Sequence, residues 1–171
     1  MNTLIMSAVV VTILNAATQL APPSSRVEYE VHNGGEAPIW LVDDDWLIWN
    51  RQGKEIELSF KRGTMRVGAQ VYGYFPPAVF QLRPGQTTAR VFELQWPQRL
   101  DRLWNSELWA APPAGRYKLS VSVGYGVTPA PGTPALGQGV EAVVLNWQRV
   151  AVSEPVPIQV PPHEKPAEGE R

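Results

Sequence analysis

The sequence predicts an all-β fold in which two antiparallel sheets, together about seven to nine strands, face one another across a shared core. Three observations lead there. In residues 115–125, Tyr117, Leu119, Val121, Val123 and Tyr125 fall on one side of an extended chain, and Arg116, Lys118, Ser120 and Ser122 on the other. That is the pattern of a half-buried strand. The same alternation recurs at 27–31, 56–60 and 92–96, so several strands are available to cover one another's dry faces. Finally, 17 prolines and 14 glycines among 171 residues divide the chain with turns and leave little room for long helices.

The length suits one domain with extensions and can bury a core without metal or disulfide staples. Cysteine is absent, which excludes disulfides, thiolate zinc sites, cysteine nucleophiles and a lipid-modified N-terminal cysteine. A formal net charge of -1, with no long run of Lys or Arg, argues against a groove that tracks nucleic-acid phosphates. Seven tryptophans are many for this length, and a large aromatic core is their first explanation.

Residues 4–17 form an apolar run, shorter than the about 20 residues of a bilayer span, and read as the hydrophobic region of a secretory signal. Residues 1–21 are therefore expected to be a signal peptide cleaved near Ala17 or Ala21. No Lys or Arg precedes the run, and an uncleaved membrane anchor, a misplaced start codon or a buried N-terminal element are the alternatives. The sandwich domain is expected over 22–160. Its first strand places Val27, Tyr29 and Val31 opposite Arg26, Glu28, Glu30 and His32, and Asn33-Gly34-Gly35 supplies a tight turn. A continuously apolar strand at 39–42 ends at Asp43-Asp44-Asp45. A short strand at 46–49 then leads through a turn at 50–53 into Ile56, Leu58 and Phe60.

Residues 65–75 are expected to be extended with bends at glycines, and Pro76-Pro77 ends any ladder because proline has no amide hydrogen. A brief strand at 79–82 meets Arg83-Pro84-Gly85-Gln86, a type II turn with Pro second and Gly third. Phe92, Leu94 and Trp96 then alternate with Val91, Glu93 and Gln95. At 98–108 the spacing of Leu100, Leu103, Trp104, Glu107 and Leu108 allows a short helix, with an irregular loop as the alternative. After the strand at 115–125 comes a Gly- and Pro-rich loop at 127–137. A long strand follows at 140–152, with an edge strand at 153–160 whose prolines suit an edge. Residues 161–171 lack the apolar content to order themselves.

Leu82-Arg83-Pro84-Gly85, taken with Ala114-Gly115-Arg116-Tyr117-Lys118-Leu119-Ser120-Val121, resembles bacterial extracytoplasmic immunoglobulin-like and fibronectin-type sandwiches. The resemblance implies an immunoglobulin-like β-sandwich and an exported compartment, periplasmic or secreted. It also implies that the Tyr117 hydroxyl caps a corner. The sequence departs from the fibronectin pattern at Thr88, where a tyrosine follows the turn, and no cysteine pair exists. Sandwiches of this kind carry unrelated functions.

No Gly-x-Ser-x-Gly elbow, His-Glu-x-x-His pair or phosphate-binding glycine loop is present, and His32 and His163 have no partner at metal-ligand spacing. No catalytic residue, metal or cofactor is expected. Asp43, Asp44 and Asp45 offer hard oxygen ligands, but consecutive side chains of an extended loop point apart, so a solvated turn is the expectation. Asp101 and Glu107 have no sequence-set separation that would make them a hydrolytic pair. The aromatics carry the functional expectation: a non-enzymatic exported protein that binds a protein partner or an envelope component through Trp104, Trp109, Arg99 and Arg102. One alternative is a carbohydrate-binding module with Trp46, Trp49, Tyr72 and Tyr74 as a stacking platform, and another is a proteinase-inhibitor-like sandwich. Trp40, Trp96 and Trp147 are expected in the core.

Overall fold

A computed structural model of the chain describes residues 9–16, 24–43, 48–52, 54–61, 77–95, 98–99, 108–109, 113–132 and 140–162. In chain order its strands are β1 (Val9–Ala16), β2 (Ser24–Asn33), β3 (Ile39–Val42), β4 (Ile48–Gln52), β5 (Glu55–Phe60), β6 (Val79–Leu82) and β7 (Thr87–Gln95). They continue with β8 (Gln98–Arg99), β9 (Leu108–Trp109), β10 (Gly115–Gly126), β11 (Arg149–Val152) and β12 (Val156–Val160); α1 (Val140–Trp147) lies between β10 and β11. One sheet has the order β1-β2-β7, and the other β4-β5-β10-β3-β6 with β11 and β12 also on β10. The fold is β-rich and fits a sandwich. No helix among the described residues is long and apolar enough to cross a membrane.

The second sheet is assembled on β10. Along one edge, β12 pairs antiparallel with Gly115 to Leu119 and β11 with Ser122 to Tyr125. Between them the ladder is completed by Ser153: its hydroxyl accepts from the Val121 amide at 3.0 Å, and its own amide donates to the Val121 carbonyl at 2.9 Å. A buried strand can thus change neighbours without leaving a polar backbone group unpaired. On the other edge β5 runs alongside Lys118 to Val123, and β3 then takes over at Tyr125 and Gly126.

The inward residues of both sheets form a single core. Val27 and Val31 of β2 meet Ile56 and Leu58 of β5, Leu119 and Val121 of β10 and Val160 of β12, all essentially without solvent contact. Each such side chain contributes about 1.5–3 kcal/mol through burial. β1 adds Val9 and Val11 to this core and packs against β10, β11 and β12. It belongs to the run expected to be the hydrophobic region of a signal, and in the full chain it lies antiparallel on β2.

Several expectations require correction. β5 and β10 pair in parallel, so the second sheet is mixed rather than antiparallel; the chain visits β6 and then β7 in the opposite sheet between them, the long connection that parallel pairing needs. Residues 140–152 are not one strand but α1 followed by β11. Val140, Val143, Val144 and Trp147 have helical spacing, which the nearly continuous apolar run concealed. At 98–108 the two ends are extended, with Gln98 opposite Trp109 and Arg99 opposite Leu108; residues 100–107 lie outside the described residues. So do the bends expected within 65–75, residues 133–137 of the Gly- and Pro-rich loop, and the tail from 163. Residues 50–52, expected in a turn, continue β4 instead, with Gln52 still paired with Glu55.

Other local expectations match the geometry. Gly85 has φ 72°, and the Gln86 amide donates to the Arg83 carbonyl at 3.1 Å, closing the turn at 83–86. The Tyr117 hydroxyl donates to the Pro113 carbonyl at 2.7 Å, four residues upstream.

Candidate functional site

A crevice of about 280 Å³ lies between the sheets, at the edge where β7 of one sheet meets β6 of the other. Its walls are largely apolar, with four aromatic rings among aliphatic side chains. Tyr29 of β2 stacks on Phe60 of β5 with centroids 5.2 Å apart, and Phe60 meets the edge of Phe92 of β7 at 5.4 Å. Phe80 of β6 and the aliphatic Val31, Leu41, Val42 and Val123 complete the apolar lining.

The polar end is made by two residues. On β7, Val91 points outward and is 54% exposed, so alternation turns Arg90 and Phe92 toward the opposite sheet. Arg90 crosses the gap, with its guanidinium 4.6 Å from the Phe80 centroid and its Nη1 2.8 Å from Asp43 Oδ1 just after β3. The Asp43 amide donates to the Ala78 carbonyl at 2.8 Å, which anchors the acid's backbone beside β6. Both side chains retain solvent contact, so the ion pair is worth about 0–1 kcal/mol and can be exchanged for a ligand group. Burial raises the Tyr29 hydroxyl to about 12; Arg90 opposes this and Asp43 adds to it. The phenol therefore stays protonated at physiological pH.

A second polar cluster joins β5 to β10. The Ser122 hydroxyl donates to Glu57 Oε1 at 2.5 Å and lies 3.2 Å from the Ser59 hydroxyl, while Lys61 Nζ is 2.8 Å from Glu57 Oε1. Burial pushes the Glu57 carboxyl up, but hydrogen bonds from Lys61 and Ser122 and the Lys61 charge outweigh it, so the net shift is downward. Ser122 is fully buried, beyond reach of a dissolved substrate, and this network ties two parallel strands together.

Of the sequence-selected contacts, Arg99 and Trp109 are brought onto adjoining strands of the β8–β9 ladder. Trp104 and Arg102 lie outside the described residues. In the expected glycan platform, Trp49 sits on β4 opposite Leu58, and Trp46, Tyr72 and Tyr74 lie outside the described residues. Asp44, Asp45, Asp101, Glu107 and Trp96 also lie outside them. His32 shares a hydrogen bond of 2.9 Å with the Thr87 hydroxyl across β2 and β7.

Trp40 and Trp147 are half-buried rather than core. Trp147 is helical: its indole covers Gly126 and donates to the Thr128 carbonyl at 2.8 Å. Arg90 and Asp43 were not singled out as a pair from sequence. The available signal was an arginine at the inward parity of a strand, two residues before Phe92. Compared with known proteins, the chain matches no family model and no curated sequence.

Proposed function

We propose that this chain is an exported, non-catalytic, immunoglobulin-like sandwich that binds a protein partner by receiving an extended segment at the β6–β7 edge. The observation that carries the reading is the aromatic crevice closed by Arg90 and Asp43. Its volume, about 280 Å³, lies at the lower limit of the about 300–1,000 Å³ of pockets that enclose a small molecule, and suits one or two partner side chains. Among the described residues β7 pairs only with β2 and β6 only with β3, so each offers a backbone edge beside the crevice. Strand addition draws affinity from backbone hydrogen bonds and specificity from a pocket for alternate side chains. Arg90 adds a cationic donor for a partner carboxylate or amide.

The immunoglobulin-like character is supported by the bond from Tyr117 to Pro113 and the two facing sheets. Arg99 and Trp109, one on each strand of the β8–β9 ladder, are further contacts in this reading, with Trp104 and Arg102 as their sequence neighbours. The test is affinity capture from the native envelope with wild-type protein and with Phe80→Ala, Arg90→Ala and Trp109→Ala, each checked for folding by circular dichroism. Partners held by wild type and lost with the first two variants are expected. Equal capture by wild type and both variants would overturn the crevice as the contact.

A further inference from the structure

We propose that the seat of β1 on β2 is a strand-acceptor groove, and that in the exported protein it holds an extended apolar segment of a partner chain, antiparallel to β2. The proposal rests on the export reading, because β1 belongs to the run expected to be removed with the signal. It concerns a different surface from the crevice.

β1 is a separable part of the fold. It runs along β2 from Val9 opposite Asn33 to Ala16 opposite Val27, with a register shift between Ile13 and Asn15. Among the described residues β2 is its only strand partner. Yet it completes the core: Val9 and Val11 are 2% and 5% exposed, Ile13 packs against the same cluster, and the strand lies against β10, β11 and β12. Without it, one backbone edge of β2 loses its ladder, and Val27, Tyr29 and Val31 lose their cover on that side. Unpaired edges and open apolar faces of this kind recruit another strand.

The residues of β1 describe what that strand must be. Its inward positions, those of Val9, Val11 and Ile13, require apolar side chains, whereas Val10 and Leu14 are about half exposed and place no such demand. Charge refines the choice. On the outer face Asn15 stands opposite Glu28, which Arg26 already pairs at 2.8 Å, and Thr12 stands opposite Glu30, so at Glu30 β1 meets an acid with a neutral group. A partner strand with Lys or Arg at the Thr12 position gains a cross-strand ion pair that β1 lacks. The occupant is therefore a β-branched, alternating segment of another exported protein with a basic outward residue.

The experiment uses the full chain with a protease site placed within residues 17–23. After cutting, the folded protein is challenged with a fluorescent peptide of the Val9–Ala16 sequence flanked by lysines for solubility, and with its Thr12→Lys and Val11→Asp versions. Uptake of one peptide per chain is expected, with the Thr12→Lys version binding about two- to fivefold more tightly and the Val11→Asp version failing to compete. Absence of uptake, equal uptake of the Val11→Asp peptide, or loss of fold on cutting that excess peptide does not reverse would overturn the groove. Exchange of β1 between two copies, seen as a dimer by native mass spectrometry that the peptide cannot dissociate, would overturn the partner assignment. The N-terminus of the protein recovered from the envelope tests export separately. A start at Met1 with peptide uptake intact removes the export reading and with it the partner assignment, because β1 then fills its own seat, whereas a cleaved start without uptake removes the groove alone.

Discussion

The side-chain amide of Asn33 donates to the carbonyl of Leu82 at 3.0 Å, joining residues 49 positions apart in the chain. The same amide donates to the Ala37 carbonyl at 2.9 Å, and its oxygen accepts from the Gly35 amide at 3.1 Å. Backbone bonds from the Asn33 amide to Gln86 and from the Gly85 amide to Asn33 complete the join. One fully buried residue thus locks the end of β2 to the turn that follows β6, and so one sheet to the other.

Asn33→Ala leaves two carbonyls and one amide without that partner, and its expected cost is about 2–4 kcal/mol in urea unfolding. Asn33→Asp is expected to be no better, because a carboxylate cannot donate to Ala37 or Leu82. A loss below about 1 kcal/mol for both would show that the turns hold together without the amide.

Tyr117→Phe removes only the bond to Pro113 and leaves the ring that Lys54 approaches at 4.9 Å. A loss of about 0.5–1.5 kcal/mol is expected, with β10 pairing intact by hydrogen exchange. Faster exchange confined to residues 113–117 would locate the effect at the corner.

Gly126 has an ordinary backbone conformation, but a Cβ there would occupy the space of the Trp147 ring. Gly126→Val should therefore displace α1, shifting tryptophan emission to longer wavelength and lowering stability by about 1–3 kcal/mol. Gly85→Ala tests the other role of glycine: the space around it is open, yet φ is 72°, so its cost comes from backbone strain. Unchanged emission in Gly126→Val would mean that the indole does not rest on β10.

Glu57 and Tyr29 set opposite pH limits. The folded carboxyl of Glu57 lies below its ordinary value of 4.5, so its stabilising effect is full above that value and lost as pH falls through the lowered one. Glu57→Gln should flatten the acid side of the stability profile. Tyr29 is raised from 10.0 to about 12, so the unfolded chain loses this proton first and stability falls between those values, by on the order of 2 kcal/mol. Tyr29→Phe should remove that alkaline decline; a profile identical to wild type would place the Tyr29 hydroxyl in water.

The strands that were legible carry period-two alternation: β2, β7 and the first half of β10 have one face more buried than the other, whereas from Val121 β10 is buried on both faces and β5 buries Ser59 beside Leu58, a burial of serines that alternation alone does not foretell. α1 escaped because its residues are apolar enough to suit either period. The site was less legible still, because Arg90 and Asp43 are distant in sequence and meet only when β7 and β3 are placed in facing sheets.

By itself the sequence determined the strand-rich class and the turn at Arg83 to Gln86, which depend on residues within a few positions of each other, while the corner at Tyr117 followed from the resemblance to extracytoplasmic sandwiches. Only the tertiary structure decided that β5 joins β10 in parallel, that β11 and β12 share one edge through Ser153, and that four aromatic rings and an ion pair enclose a crevice. It also decided that β1, an apolar run by composition, can complete the core on β2. The reason is the range of the interactions: backbone sterics and periodicity act along the chain, whereas strand pairing and side-chain packing depend on which distant segments come to lie side by side.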